Sequence, residues 1–125
     1  MTPATPAIIE LAKRTAGQHP SDLVAVYAMD QTCSWASPTH LTILGYSENE
    51  MLGRPWKEFV APEDHAHASL AGDDALLHGR SIDFSISAVT KTGGRVALRG
   101  QAWISIDQNT HMGFLFFQAS RRSSG

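Results

Sequence analysis

Glu63, Asp64 and His65 stand side by side with His67 two places on, which brings acid, base and metal-ligating side chains into one short stretch. Acid–base catalysis would need more. No nucleophile motif, phosphate loop or second carboxylate constellation accompanies these residues, so the two acids read as first-turn helix residues. On a helix, His65 and His67 point about 200° from one another, so they cannot both bind one metal. The expected role of each is exposed or supporting. His40, His78 and His111 have no partner pattern and carry the same expectation. Cys33 is the only cysteine, which excludes an internal disulfide and a multi-cysteine metal site. It falls in a strand-like segment, where a small buried hydrophobe is expected. Trp35, Trp56 and Trp103 could stack on a flat ligand. Burying an aromatic ring already stabilises a fold by a few kcal/mol, so packing is the expected use. No enzyme acting alone is expected.

Composition sets the outer bounds. The 125 residues are 42% hydrophobic and 18% charged, which suits one globular domain with a single core. The net charge of −2 gives no general electrostatic reason to bind nucleic acid or an anionic membrane. The one basic cluster, Arg121 and Arg122, is short and terminal. No apolar run reaches the roughly 18 residues of a membrane span, and the first residues lack the pattern of a secretion signal. A cytoplasmic location is the expectation.

The elements that must position these residues follow from periodicity. A helix is predicted over 6–16: Thr5 caps it, Pro6 suits its first turn, Ile8, Leu11, Ala12 and Thr15 form one stripe, and Gly17 ends it. Residues 22–30 read as a strand apolar on both faces, hence central in a sheet. A turn and a short strand over 33–36 complete a hairpin. Ser37-Pro38 ends that strand and starts a short helix with Leu41, Ile43 and Leu44. Ser47 and Glu50 form a capping box before Met51, Leu52 and Gly53. A longer helix opens at Pro62 and ends at His78-Gly79. Strict alternation then marks two strands, one over 82–88 and one with Val96, Leu98, Ala102, Ile104 and Ile106 apolar, joined by the turn Lys91-Thr92-Gly93-Gly94. The last strand, 112–119, is apolar on both faces like the first.

Three pieces in this series go together: SWASP ending a strand, GYSENEMLG with its capping box, and PED opening the long helix. Their order and spacing closely resemble the PAS domain in its S-box form. The resemblance spans about 22–120. It implies an α+β fold with a five-stranded antiparallel sheet of order 2-1-5-4-3, short helices on one face, and an N-terminal helix. It also implies a module that senses and relays. At the end, where many relatives carry Asp-Ile-Thr, this chain has Gln118-Ala119-Ser120. His65 and His67 fall in the region from which haem-binding relatives supply an iron ligand. The asparagine-cysteine-arginine motif of blue-light flavin relatives is absent.

The expected organisation is a helical cap and linker over 1–21, the sensory domain over 22–120 and a tail over 121–125. The expected pocket lies between the sheet and the helices, lined by residues drawn from Val26, Leu44, Trp56, Phe59, Leu70, Phe84, Ile86, Leu98 and Ile104. The other sheet face is partly apolar through Trp103 and either Leu115 with Phe117 or Phe114 with Phe116. Covered by the N-terminal helix or a second subunit, it makes Ile8, Leu11, Trp103, Leu115 and Phe117 the candidate homodimer interface. The leading functional expectation is ligand or partner binding relayed to a downstream effector domain, in a bacterial sensor histidine kinase or a cyclic-nucleotide-signalling regulator. The alternative is a ligand-free dimerisation module whose core is full, and cavity volume separates the two. A haem or flavin sensor is the third reading; otherwise no cofactor is expected.

Overall fold

Helix α1, Pro6–Gln18, opens where the Thr5 hydroxyl accepts the Ile8 N–H at 3.3 Å and Pro6 takes the first turn. It runs two residues past the expected end, with Gly17 inside its last turn and the His19 N–H closing on the Ala16 carbonyl. The computed structural model describes residues 3–122; of the expected terminal segments, 1–2 and 123–125 lie outside the described residues.

Strand β1, Leu23–Ala28, is buried at all six positions. It pairs on one side with β2, Cys33–Ala36, and on the other with β5, Gly113–Arg121. Beyond β5 lie β4, Arg95–Ile106, and β3, Ile82–Val89, so the antiparallel sheet has the order β2-β1-β5-β4-β3. The two strands apolar on both faces are therefore neighbours at the centre, as their composition requires. β5 extends to Arg121, paired with Leu98, which places the first basic residue of the expected tail in the sheet.

Register decides which face each side chain takes, because residues directly opposite share a face. Val26 pairs with Phe116, and Phe116 with Trp103. These join Val24, Ala28, Trp35 and Phe114 beneath Ile8 and Ala12 of α1. Ala25 pairs with Phe117 and Tyr27 with Leu115, and these face the other way. On that side pack α2, Thr39–Ile43; α3, Glu48–Met51; a 3₁₀ turn at Trp56–Phe59; and α4, His65–His78.

The segment between β2 and α4 is tied down at several points. The Cys33 N–H donates to the Arg54 carbonyl and the Gly53 N–H to the Cys33 carbonyl, both at 2.9 Å. The capping box forms, with Glu50 N–H on Ser47 Oγ at 3.3 Å and Ser47 N–H on Glu50 Oε1 at 2.9 Å. Lys91 adds an ion pair to Glu50 at 2.5 Å. Lys91 and the Ser47 backbone together hold the Glu50 carboxyl down to about 2. The Pro62–Asp64 stretch is a separate 3₁₀ turn, and its acids make cross-links. Asp64 Oδ2 accepts the Ser87 N–H at 2.8 Å, and Glu63 pairs with Arg95. Both acids sit in the first turn of this element as expected, and their carboxylates in addition reach the β-strands.

Candidate functional site

Between the sheet and helices α2 to α4 lies a cavity of about 250 Å³. Its existence follows from residue size. Phe59, Phe84 and Trp56 hold the walls apart, while Ala25, Ala88 and Ala119 on the strands and Ala68, Ala71 and Gly72 on α4 leave the space between unfilled. The rings pack edge to face, Tyr27 on Phe117 at 5.4 Å and Phe84 on Phe117 at 5.6 Å, so they have little freedom to collapse inward. The mouth lies where Met29, Gln31, Asp73 and Leu76 are exposed.

Leu44, Trp56, Phe59, Phe84, Ile86, Leu98 and Ile104 all line this cavity. Val26 does not: its register with Phe116 turns it to the α1 face, where it is fully buried. Leu70 does not either. The inward arc of α4 runs through Ala68, Ala71, Gly72 and Ala75, and at 100° per residue this leaves Leu70 on the solvent side, 68% exposed.

The expected interface residues also divide. Leu115 and Phe117 line the cavity, and their neighbours Phe114 and Phe116 take the outer face, because Phe116 pairs with Val26 and Trp103. Ile8, on α1, is 2% exposed, buried against its own chain's sheet. Leu11 and Trp103 are half-buried beside it, with Trp103 stacked on Phe116 at 5.6 Å.

Sequence reasoning selected large side chains and missed the small ones that create the volume. The available signal was the set of alanines at apolar-face positions, Ala25 and Ala119, together with the Ala68, Ala71, Gly72 stripe on α4. It also missed Tyr27 and His40, the two buried polar side chains in the lining. Burial pushes the Tyr27 phenol well above its ordinary value. Burial likewise lowers His40 to about 4, against a smaller opposing effect of the Ser37 carbonyl.

Neither histidine of the region from which haem-binding relatives supply an iron ligand reaches the cavity, and Cys33 is not placed to hold a flavin covalently. His65 Nε2 sits 2.8 Å from the Val60 carbonyl and His67 Nε2 2.8 Å from the Ser85 carbonyl, and neither ring lines the cavity. Among the described residues no group of three or more histidines, cysteines or acids is placed to hold a metal ion. Cys33 is fully buried, its thiol 3.5 Å from the Trp35 carbonyl and pushed up to about 12 by burial, so it offers no thiolate.

Known proteins share this architecture. The sequence is 31% identical over 91 residues to the aryl hydrocarbon receptor nuclear translocator homolog of Drosophila melanogaster. That match covers 72% of this chain and spans only 14% of the relative's length. A PAS domain from Colwellia psychrerythraea superimposes with a TM-score of 0.78 at 16% identity, covering 94% of this chain and 99% of that one. The PAS-B domain of Drosophila melanogaster Cycle, solved with bound ethylene glycol, gives 0.73 at 12% identity, covering 80% and 99%. These structural likenesses speak to the fold. The sequence model described as the PAS fold matches residues 34–115, about two thirds of the chain, from the β2 strand to the start of β5. The motif-bearing segment, the strand order and this match agree, and the chain belongs to the PAS family of signalling domains.

Proposed function

We propose that this domain is a sensor whose input is a small organic molecule held in the cavity between the sheet and helices α2 to α4. The observation that carries the reading is the cavity's volume. At about 250 Å³ it exceeds the roughly 150 Å³ engineered void that accepts benzene, and its walls are mainly apolar. The open volume argues against a full core, the premise of a ligand-free dimerisation module. The Cycle domain's bound ethylene glycol supports the same reading.

The domain acts by binding and not by catalysis, and relays occupancy to an effector domain, as in a sensor histidine kinase or a related regulator. That the match spans a seventh of its relative supports a module within a larger signalling protein. A homodimer through α1 and Trp103 completes the reading, since Ile9, Leu11 and Trp103 stay half-exposed at the helix edge.

Protein-observed NMR against neutral organic molecules of about eight to ten heavy atoms tests the proposal, a size matched to the cavity by the benzene comparison. Shifts at Ala88, Phe84 and Leu115 are expected. In Ala68→Leu, which fills the volume from α4, they should vanish with the fold intact. Absence of binding to the intact chain, or undiminished binding to Ala68→Leu, would overturn it.

A further inference from the structure

The hydrogen atoms around Ser37 can be assigned one by one, and they fix what His40 offers. The Thr39 hydroxyl lies 2.8 Å from the Asp22 carbonyl, which can only accept, so Thr39 donates there. The 2.6 Å contact between Ser37 Oγ and Thr39 Oγ1 must then carry the Ser37 proton. Ser37 Oγ already accepts the Val24 N–H at 3.0 Å. With its own proton committed, it can only accept from His40 Nδ1, 3.2 Å away, as can the Ser37 carbonyl at 3.0 Å. His40 Nδ1 therefore bears the proton. Burial keeps the ring neutral, and Nε2 is left as a bare acceptor.

No donor among the described residues meets His40 Nε2, and none is paired with the Tyr27 hydroxyl. The two residues are 4% and 5% exposed. Among the described residues no sealed side-chain nitrogen or oxygen lacks a partner, so these two atoms border open space. The open space that both residues line is the cavity. Its lining holds no lysine or arginine, and its one acid, Asp73, is at the exposed mouth. A buried anion would have no counter-charge there.

We propose that the cavity selects neutral, compact molecules bearing an O–H donor, phenols or alcohols, with the ligand hydroxyl donating to His40 Nε2. This rests on the cavity being a ligand site and adds the class of ligand. A purely apolar guest would leave the Nε2 lone pair unmet, and an unmet buried acceptor is costly.

The test uses p-cresol and p-xylene, which differ by a hydroxyl in place of a methyl, titrated by NMR into the intact chain and into His40→Phe. His40→Phe should weaken p-cresol at least about tenfold while p-xylene is unchanged or tightened, since the variant removes a hydrogen bond from one guest and an unmet acceptor from the other. Comparing the two guests across the two proteins cancels their different hydration. In the ¹⁵N-labelled wild type, the His40 Nε2 resonance should move with p-cresol and stay put with p-xylene. This readout stands even where His40→Phe fails to fold. If p-xylene binds but His40→Phe weakens both guests alike, or Nε2 does not respond to p-cresol, the donor class is wrong and the cavity reading survives. Binding of neither guest to the wild type would overturn both.

Discussion

Burial makes His40 a group whose protonation opposes folding. In the folded chain its pKa is down to about 4, whereas a solvated imidazole titrates near 6.5. Between those values the unfolded chain binds a proton that the folded chain refuses, so stability rises with pH across the window. The contribution is complete above about 6.5 and is lost as the pH falls toward 4. A depression of this size corresponds to something on the order of 3 kcal/mol. The lowered carboxyl of Glu50 loses its contribution further down, between its ordinary value and about 2, which separates the two effects. Urea denaturation at pH 7 and pH 4.5 should show a marked drop for the wild type and a much smaller one for His40→Phe. Equal drops in the two proteins would show that the ring is not held neutral.

Two glycines on elements bounding the cavity should respond in opposite directions to the same added methyl. Gly100 lies on β4 opposite Ala119 of β5, and a Cβ there would collide with the Gln118 carbonyl and the Ala119 backbone. Those atoms belong to a central strand and cannot yield, so Gly100→Ala should cost about 2 kcal/mol or more. Gly72 lies inside α4, where a Cβ would meet Leu115 Cδ2 at an ordinary 3.7 Å. Alanine is the better helix former there, and Gly72→Ala should stabilise by about 0.5–1 kcal/mol. Urea midpoints for the pair check both signs. A neutral Gly100→Ala would mean that β4 and β5 are not in this register.

The sheet is covered on both sides within one chain, by α1 on the outer face and by α2 to α4 on the inner one. What remains for a second copy is the strip where Ile9, Leu11 and Trp103 stay half-exposed beside α1. A two-fold interface places the same strip on both partners. Light scattering of the intact chain at high micromolar concentration should give a dimer, and Leu11→Asp should give a monomer, since a carboxylate would be buried without a partner. A monomeric intact chain, or a dimer indifferent to Leu11→Asp, would refute it.

Periodicity and turn chemistry were enough to place five strands and the capped helices, because each depends on residues close in sequence; the neighbouring of β1 and β5 was suggested by their two-faced apolar composition and implied by the resemblance. The Ser47–Glu50 box and the all-apolar β1 are local facts, readable one segment at a time. The sheet face of Leu115 and Phe117 was not readable, because a strand apolar on both sides carries no alternation to mark its faces. Only pairing with Ala25, Tyr27 and Ala102 turned those two residues inward and left Phe114 and Phe116 beneath α1. Val26 and Leu70 were misplaced for the same kind of reason, since hydrophobicity says that a residue wants burial but not on which side. The cavity itself is a property of distance between walls. Small residues from three separate strands and from α4 leave it open, and no segment contains that information until the others pack against it.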